Sequence, residues 1–135
     1  EAQWEYACRA GTTTATAFGD KLSSKQANFK GAPYNGAAPG PSLGRAAKVG
    51  SYPANAFGLH DIHGNLYEWV EDCLNHNYDG APTDGTAWTS GDCSVRMMRG
   101  GFYGEGPVWL RSAKRDGNYA TQRSQQHGFR VARVD

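Results

Sequence analysis

NAFGLHDIHGNLYEWVED, residues 55–72, is the stretch on which the fold turns. FGLHDI (57–62) reads as a short strand or a turn. GNLYEWVED (64–72) reads as a strand or a helical turn carrying Tyr67, Trp69 and Val70. Asp61, Asn65, Glu68, Glu71 and Asp72 crowd the same stretch, and Gly64 allows a tight bend. Oxygen ligands on a bent backbone suit calcium, which takes carboxylates together with main-chain carbonyls. A solvated acidic turn explains the same residues.

The surrounding chain has 135 residues and a mass of 14.6 kDa, room for one domain. Its 14 basic and 13 acidic residues give a net charge of +1. That balance excludes recognition of nucleic acid or anionic lipid by bulk charge. One Ile, six Leu, six Val and five Phe make a thin aliphatic supply, so the four Trp and seven Tyr must build much of the core. Eighteen Gly and six Pro imply frequent turns. Trp4, Trp69, Phe57 and Phe129 are the expected buried rings. No apolar run reaches the roughly 18 residues of a membrane helix. No basic segment precedes an apolar one as in a signal peptide, so localisation stays unassigned. The chain opens at Glu1 without Met and reads as a piece of a longer protein.

EAQWEYACRA (1–10) reads as a helix, with Trp4, Ala7 and Cys8 on one face and Gly11 as the stop. GAPYNGAAPGPSLG (31–44) is loop. Residues 73–94 form a long polar excursion between Cys73 and Cys93, which either pair or remain free thiols beside Cys8. SVRMMRGGFYG (94–104) begins as a strand and stops at Gly100 and Gly101. VWLRSAKR (108–115) alternates as a strand does. DGNYATQRSQQ (116–126) reads as loop, and HGFRVARV (127–134) as a closing strand with Phe129 and Val131 on one side.

Generic catalytic motifs are missing. There is no G-x-S-x-G elbow, no P-loop and no G-x-G-x-x-G. His60 and His63 are close enough to suggest zinc, but no second Cys or His pair supports them. Arg99, Arg111, Arg115 and Arg130 either brace loop carbonyls, pair with Asp61 and Glu71, or stand in solvent.

EAQWEYACRAG (1–11), NAFGLHDIHGNLYEWVED (55–72), RMMRGGFY (96–103), LRSAKR (110–115) and HGFRVAR (127–133) together resemble the formylglycine-generating, or sulfatase-modifying-factor, domain. The resemblance implies an α+β, C-type-lectin-like fold: a small twisted antiparallel sheet, few short helices and many loops. It implies that residues 1–135 are the C-terminal portion of one such domain, its N-terminal part missing. It also implies a calcium site at Asp61, Gly64, Leu66 and Glu68, and matches Asn28 and Phe29 to a second one.

Formylglycine-generating enzymes oxidise a substrate cysteine with two active-site cysteines and copper. Glu105 stands at the position of the first cysteine, and no Cys follows Cys93. A carboxylate supplies neither a soft ligand for Cu(I) nor a mixed disulfide, so copper is not expected. The resemblance therefore implies a non-catalytic bacterial branch. Its members include modules fused to signalling or display domains, and variable proteins of diversity-generating retroelements. In the latter, residues about 96–133 vary. The ligand-binding positions would be Tyr103, Glu105, Val108, Trp109, Lys114, Asp116, Asn118, Tyr119, Thr121, Gln122, Ser124 and Gln125. They mix aromatic anchors with adaptable polar groups, as binding surfaces do. Adenine mutagenesis of AAC or AAT codons cannot yield Glu105, Trp109, Lys114, Gln122, Gln125 or Gln126, so those positions have other codons or are fixed. The expected partner is a protein or small molecule, not nucleic acid, with no membrane insertion. The alternative is a formylglycine-generating oxidase or a related nonheme-iron sulfoxide synthase domain.

Overall fold

The computed structural model describes residues 1–133. Helix α1 spans Ala2–Arg9. Glu5 lies in its first turn and is bonded by Arg9 one turn on, at 2.9 Å. The helix ends at Ala10, whose φ of 46° is left-handed and whose N–H returns to the Tyr6 carbonyl. Gly11 follows as the C′ residue, its φ of 90° also left-handed, as the sequence predicts. Trp4 and Cys8 face the interior as their spacing requires, while Ala7 is half-buried.

Four strands form one sheet in the order β3-β2-β1-β4. Strand β1 is Tyr67–Leu74, β2 is Asp92–Arg99, β3 is Asp116–Tyr119 and β4 is His127–Gly128. The first three pair antiparallel, and β4 lies parallel to β1, so the sheet is mixed rather than purely antiparallel. Between Trp69 and Cys73 the register of β1 against β2 slips, and β1 bends there. Cys73 and Cys93 are disulfide-bonded and close the excursion between β1 and β2. Trp88, inside that excursion, accepts from the Cys73 N–H and donates its own N–H to Asp72.

Three expectations about the second half change. Residues 108–115 are not a strand: Pro107–Leu110 form a 3₁₀ turn, with Pro107 at its start. Alternation alone does not make a strand when a proline fixes the entry. The DGNY at the head of 116–126 is a strand, because β2 offers it four paired residues from Val95 to Met98. The closing strand is only His127–Gly128, with Phe129 and Val131 at 78% and 84% exposed; Val134 lies outside the described residues.

The core has two parts. Leu22, Ala27, Phe29 and Leu110 form one, and Trp4, Cys8 and Ile62 the other. Each fully buried Leu or Phe contributes roughly 1.5–3 kcal/mol. Polar groups fill much of the remaining interior: Arg99, His63, Asn28, Thr16 and Ser112 are all buried. Of the four expected rings, Trp4 is buried, Trp69 is half-buried, and Phe57 and Phe129 are exposed.

Arg99 ties these parts together. Its guanidinium donates to Glu1 and Glu5 at 2.6 Å each and to the Ser112 carbonyl at 2.5 Å, and it stacks on Trp4 at 5.1 Å. Arg115 also grips Glu1, at 2.7 Å. Arg111 donates to the Val108 carbonyl, and Arg130 pairs with Glu68. These arginines do brace carbonyls and carboxylates, but their acidic partners are Glu1, Glu5 and Glu68 rather than the expected Asp61 and Glu71.

Candidate functional site

The turn before β1 is built from left-handed residues. Asp61, Gly64 and Asn65 have φ of 57°, 76° and 66°. Gly64 is obligatory, since a Cβ there would stand 2.3 Å from the Asn28 carbonyl oxygen. Asp61 Oδ2 accepts the Gly50 N–H at 2.6 Å, while its Oδ1 is buried without a protein donor. Glu68 receives three N–H donors, one from Trp4 and two from Arg130, at 2.7 to 3.1 Å. Asp61, Leu66 and Glu68 line one cavity of about 450 Å³ with Asn65 and Arg130; Gly64 is turned into the core. Asp61 Oδ1 is left open to a hard cation, whereas the Glu68 carboxylate is already engaged by the Arg130 guanidinium. Asn28, matched to the second calcium site, also carries a buried side-chain oxygen without a donor, and Phe29 lies in the core.

A buried Cys8–His63–Ser112 cluster resembles a nucleophilic triad on paper. Cys8 Sγ lies 3.6 Å from His63 Nε2 and 3.5 Å from Ser112 Oγ. Its environment makes it inert. The Ala17 N–H occupies Nε2 at 3.0 Å, so the ring proton sits on Nδ1 and is donated to the Leu110 carbonyl at 2.7 Å. Burial pushes the Cys8 thiol up to about 12 and the His63 imidazole down to about 4. His60 instead bonds the Tyr52 carbonyl. Among the described residues no group of three or more His, Cys, Asp or Glu is arranged to hold a metal.

The candidate binding residues divide. Tyr103, Glu105, Val108, Trp109, Lys114 and Asp116 follow one another around the turns between β2 and β3. Trp109 is 40% exposed, and Lys114 Nζ sits 4.1 Å above its ring. Tyr103 stacks edge-on against Phe102 at 5.2 Å. In β3, alternation sends Tyr119 to the face opposite Asp116 and Asn118. Thr121, Gln122, Ser124 and Gln125 are exposed in the turn leading to β4.

Glu105 is partly buried. Its Oε1 lies 2.6 Å from the Tyr67 hydroxyl, which also lies 2.8 Å from Asp116 Oδ2. Burial, with Asp116 nearby, holds the Glu105 carboxyl above its ordinary range. Burial and the same two carboxyls push the Tyr67 phenol upward. Tyr67 escaped the sequence reading because a tyrosine in an apolar strand is first a packing residue. No thiol reaches this face: Cys8 is buried and Cys73 is bonded to Cys93. The residues around Glu105 therefore do not fit a thiolate-bound copper ion.

Residues 1–134 match the sulfatase-modifying factor enzyme 1-like domain. The chain belongs to that family. PvdO from Pseudomonas aeruginosa superimposes on this sulfatase-modifying-factor domain with a TM-score of 0.81 and 38% identity, over 95% of this chain and 48% of that one. Treponema denticola variable protein 1 shares the fold with a TM-score of 0.70 and 24% identity, over 93% and 43%. The serine/threonine-protein kinase pkn1 of Chlamydia caviae is 31% identical over 98% of this chain. This sulfatase-modifying-factor domain spans about a fifth (20%) of that kinase's length. No helix among the described residues is long and apolar enough to cross a membrane.

Proposed function

We propose that this domain binds a protein or small-molecule ligand without oxidising it, through the turns and strand between residues 102 and 126. One observation carries the reading. On the family resemblance Glu105 matches the position of the oxidase's first thiol, and the three cysteines of the chain lie in the core or in the Cys73–Cys93 bridge. Exposed Val108 and Trp109 beside Lys114, with exposed Tyr119 on the other face of β3, support a recognition role, since rigid rings supply contact area at low entropic cost. The likeness to a Treponema variable protein supports a version in which residues 96–133 are diversified. The likeness to a stretch of a Chlamydia kinase supports a module within a longer signalling chain.

The oxidase alternative predicts turnover. Purified protein supplied with copper and a peptide containing Cys-x-Pro-x-Arg is expected to consume no oxygen above the buffer rate and to leave the peptide mass unchanged. Oxygen uptake coupled to a mass change would overturn the non-catalytic reading.

The scaffold reading extends to calcium at Asp61, with Gly64, Leu66 and Glu68 as its neighbours. The ion would supply charge for the buried Asp61 Oδ1 and rigidify the turn before β1. Ligand binding to the native state alone adds about 2.7 kcal/mol at a hundredfold excess over Kd. Millimolar calcium is therefore expected to raise Tm relative to chelator, and Asp61→Ala to abolish the increment. Equal Tm values for the wild type in calcium and in chelator would remove calcium from the account.

A further inference from the structure

Glu105, Tyr67 and Asp116 come from three separate elements: the turn after β2, the start of β1 and the start of β3. Their hydrogen bonds are strictly countable. Glu105 Oε2 faces the Phe102 N–H at 3.4 Å, and Asp116 Oδ1 accepts the Gly117 N–H at 2.8 Å. The two remaining oxygens, Oε1 and Oδ2, both meet the Tyr67 hydroxyl, at 2.6 and 2.8 Å. A phenol has one proton to donate. With both carboxyls ionised, one of those short contacts would set oxygen lone pairs against each other. Both contacts become hydrogen bonds only when one carboxyl is protonated and donates to the phenol oxygen, while the phenol donates to the other.

We propose that Glu105 and Asp116 share one proton across the Tyr67 hydroxyl, and that this proton is a pH-sensitive tie joining the 101–106 turn to β1 and β3. The tie goes beyond the binding role and holds whether or not the face engages a ligand. Three other charged or titratable groups bear on it. The Lys114 ammonium favours ionised Glu105, but it is held over Trp109 and bonded to the Arg115 carbonyl at 2.9 Å. His127 of β4 lies edge-on to the Tyr67 ring at 6.5 Å, its Nδ1 buried without a partner. Lys30 reaches Glu105 through the main chain only, donating its N–H to the Glu105 carbonyl at 2.9 Å.

The sign follows from the pair. A carboxyl that keeps its proton longer in the folded state than in the unfolded one adds stability at low pH. That stability is lost as pH rises through the folded-state value. Two interacting carboxyls then titrate in two steps belonging to the pair.

The test is a carbon-13 NMR titration of the side-chain carboxyls in the wild-type chain, assigned with Glu105→Gln and Asp116→Asn. One step is expected above the ordinary glutamate value of 4.5, reported by both carbons together. Glu105→Gln replaces the shared proton with an amide donor that does not titrate. Its Tm, relative to wild type, is expected to rise as pH climbs from about 4 to 8. Two independent carboxyls titrating at or below their ordinary values would overturn the proposal. A wild-type-to-Glu105→Gln difference that is flat with pH would do so equally. If the variants fail to fold, the wild-type titration alone decides: a raised step reported by both carboxyl carbons upholds the shared proton, and steps each confined to one carbon overturn it.

Discussion

Arg99→Ala is expected to remove about 3–5 kcal/mol of stability, a large share of the roughly 5–15 kcal/mol that holds a domain folded. Arg99 is 1% exposed, and three elements converge on its guanidinium. Glu1 and Glu5 bring α1, Arg99 itself belongs to β2, and the Ser112 carbonyl brings the turn that follows the 3₁₀ segment. Truncation leaves that carbonyl and two carboxylates facing a void, and Trp4 loses its stacked cation. Arg9 and Arg115 still reach Glu5 and Glu1, so the loss falls toward the lower end of the range. Lysine is not a rescue. A single ammonium cannot span the fork geometry of Glu1, Glu5 and Ser112, so Arg99→Lys is expected to fall between wild type and alanine. Urea unfolding monitored by tryptophan fluorescence measures this directly. A midpoint shift worth less than about 1 kcal/mol would show that the guanidinium is not the tie described.

Acid is expected to weaken the fold through His63. The imidazole is 1% exposed, and burial depresses it to about 4 from an ordinary 6.5. The unfolded chain therefore binds a proton that the folded chain refuses. Stability from this source is fully present above pH 6.5 and drains away as pH falls toward 4, by about 3 kcal/mol at the bottom of the window. Protonation would also break the geometry, because Nε2 must accept from the Ala17 N–H. His63→Asn keeps a donor for the Leu110 carbonyl and does not titrate in this range. Urea midpoints at several pH values should fall more steeply with acid in the wild type than in the variant. Parallel curves would rule out His63 as the acid-labile group. The direction is opposite to that of the Glu105–Asp116 pair, so the two contributions separate in a pH series.

Some of this was legible in the chain and some was not. Trp4 and Cys8 mark the buried face of α1 because a helix repeats every 3.6 residues, and GNLYEWVED, which reads as a strand or a helical turn, is strand from Tyr67 onward. Gly64 and Asp61 marked a bent turn. What local patterning misses is any property that depends on a distant partner. DGNY looks like a loop until Val95–Met98 lies beside it. VWLRSAKR alternates, yet Pro107 winds its start into a 3₁₀ turn. Arg99 reads as a brace for carbonyls or acids or else as a solvated charge, and only the meeting of α1 with β2 buries it. At the candidate site, Glu105 and Asp116 were named for their positions within a recognised family. Tyr67, which joins them, was hidden by its second identity as a strand aromatic.

The disulfide gives the stretch from Asn75 to Gly91 an unusual liberty. Its two ends are riveted together, so the backbone between them forms a closed ring whose length hardly matters to the remainder of the molecule. Doubling such a ring costs only about 0.6 kcal/mol in closure entropy. Insertions and deletions that would be ruinous in β1 or β2 can accumulate there at little thermodynamic expense, making this ring the natural place for lineages of the domain to diverge in size.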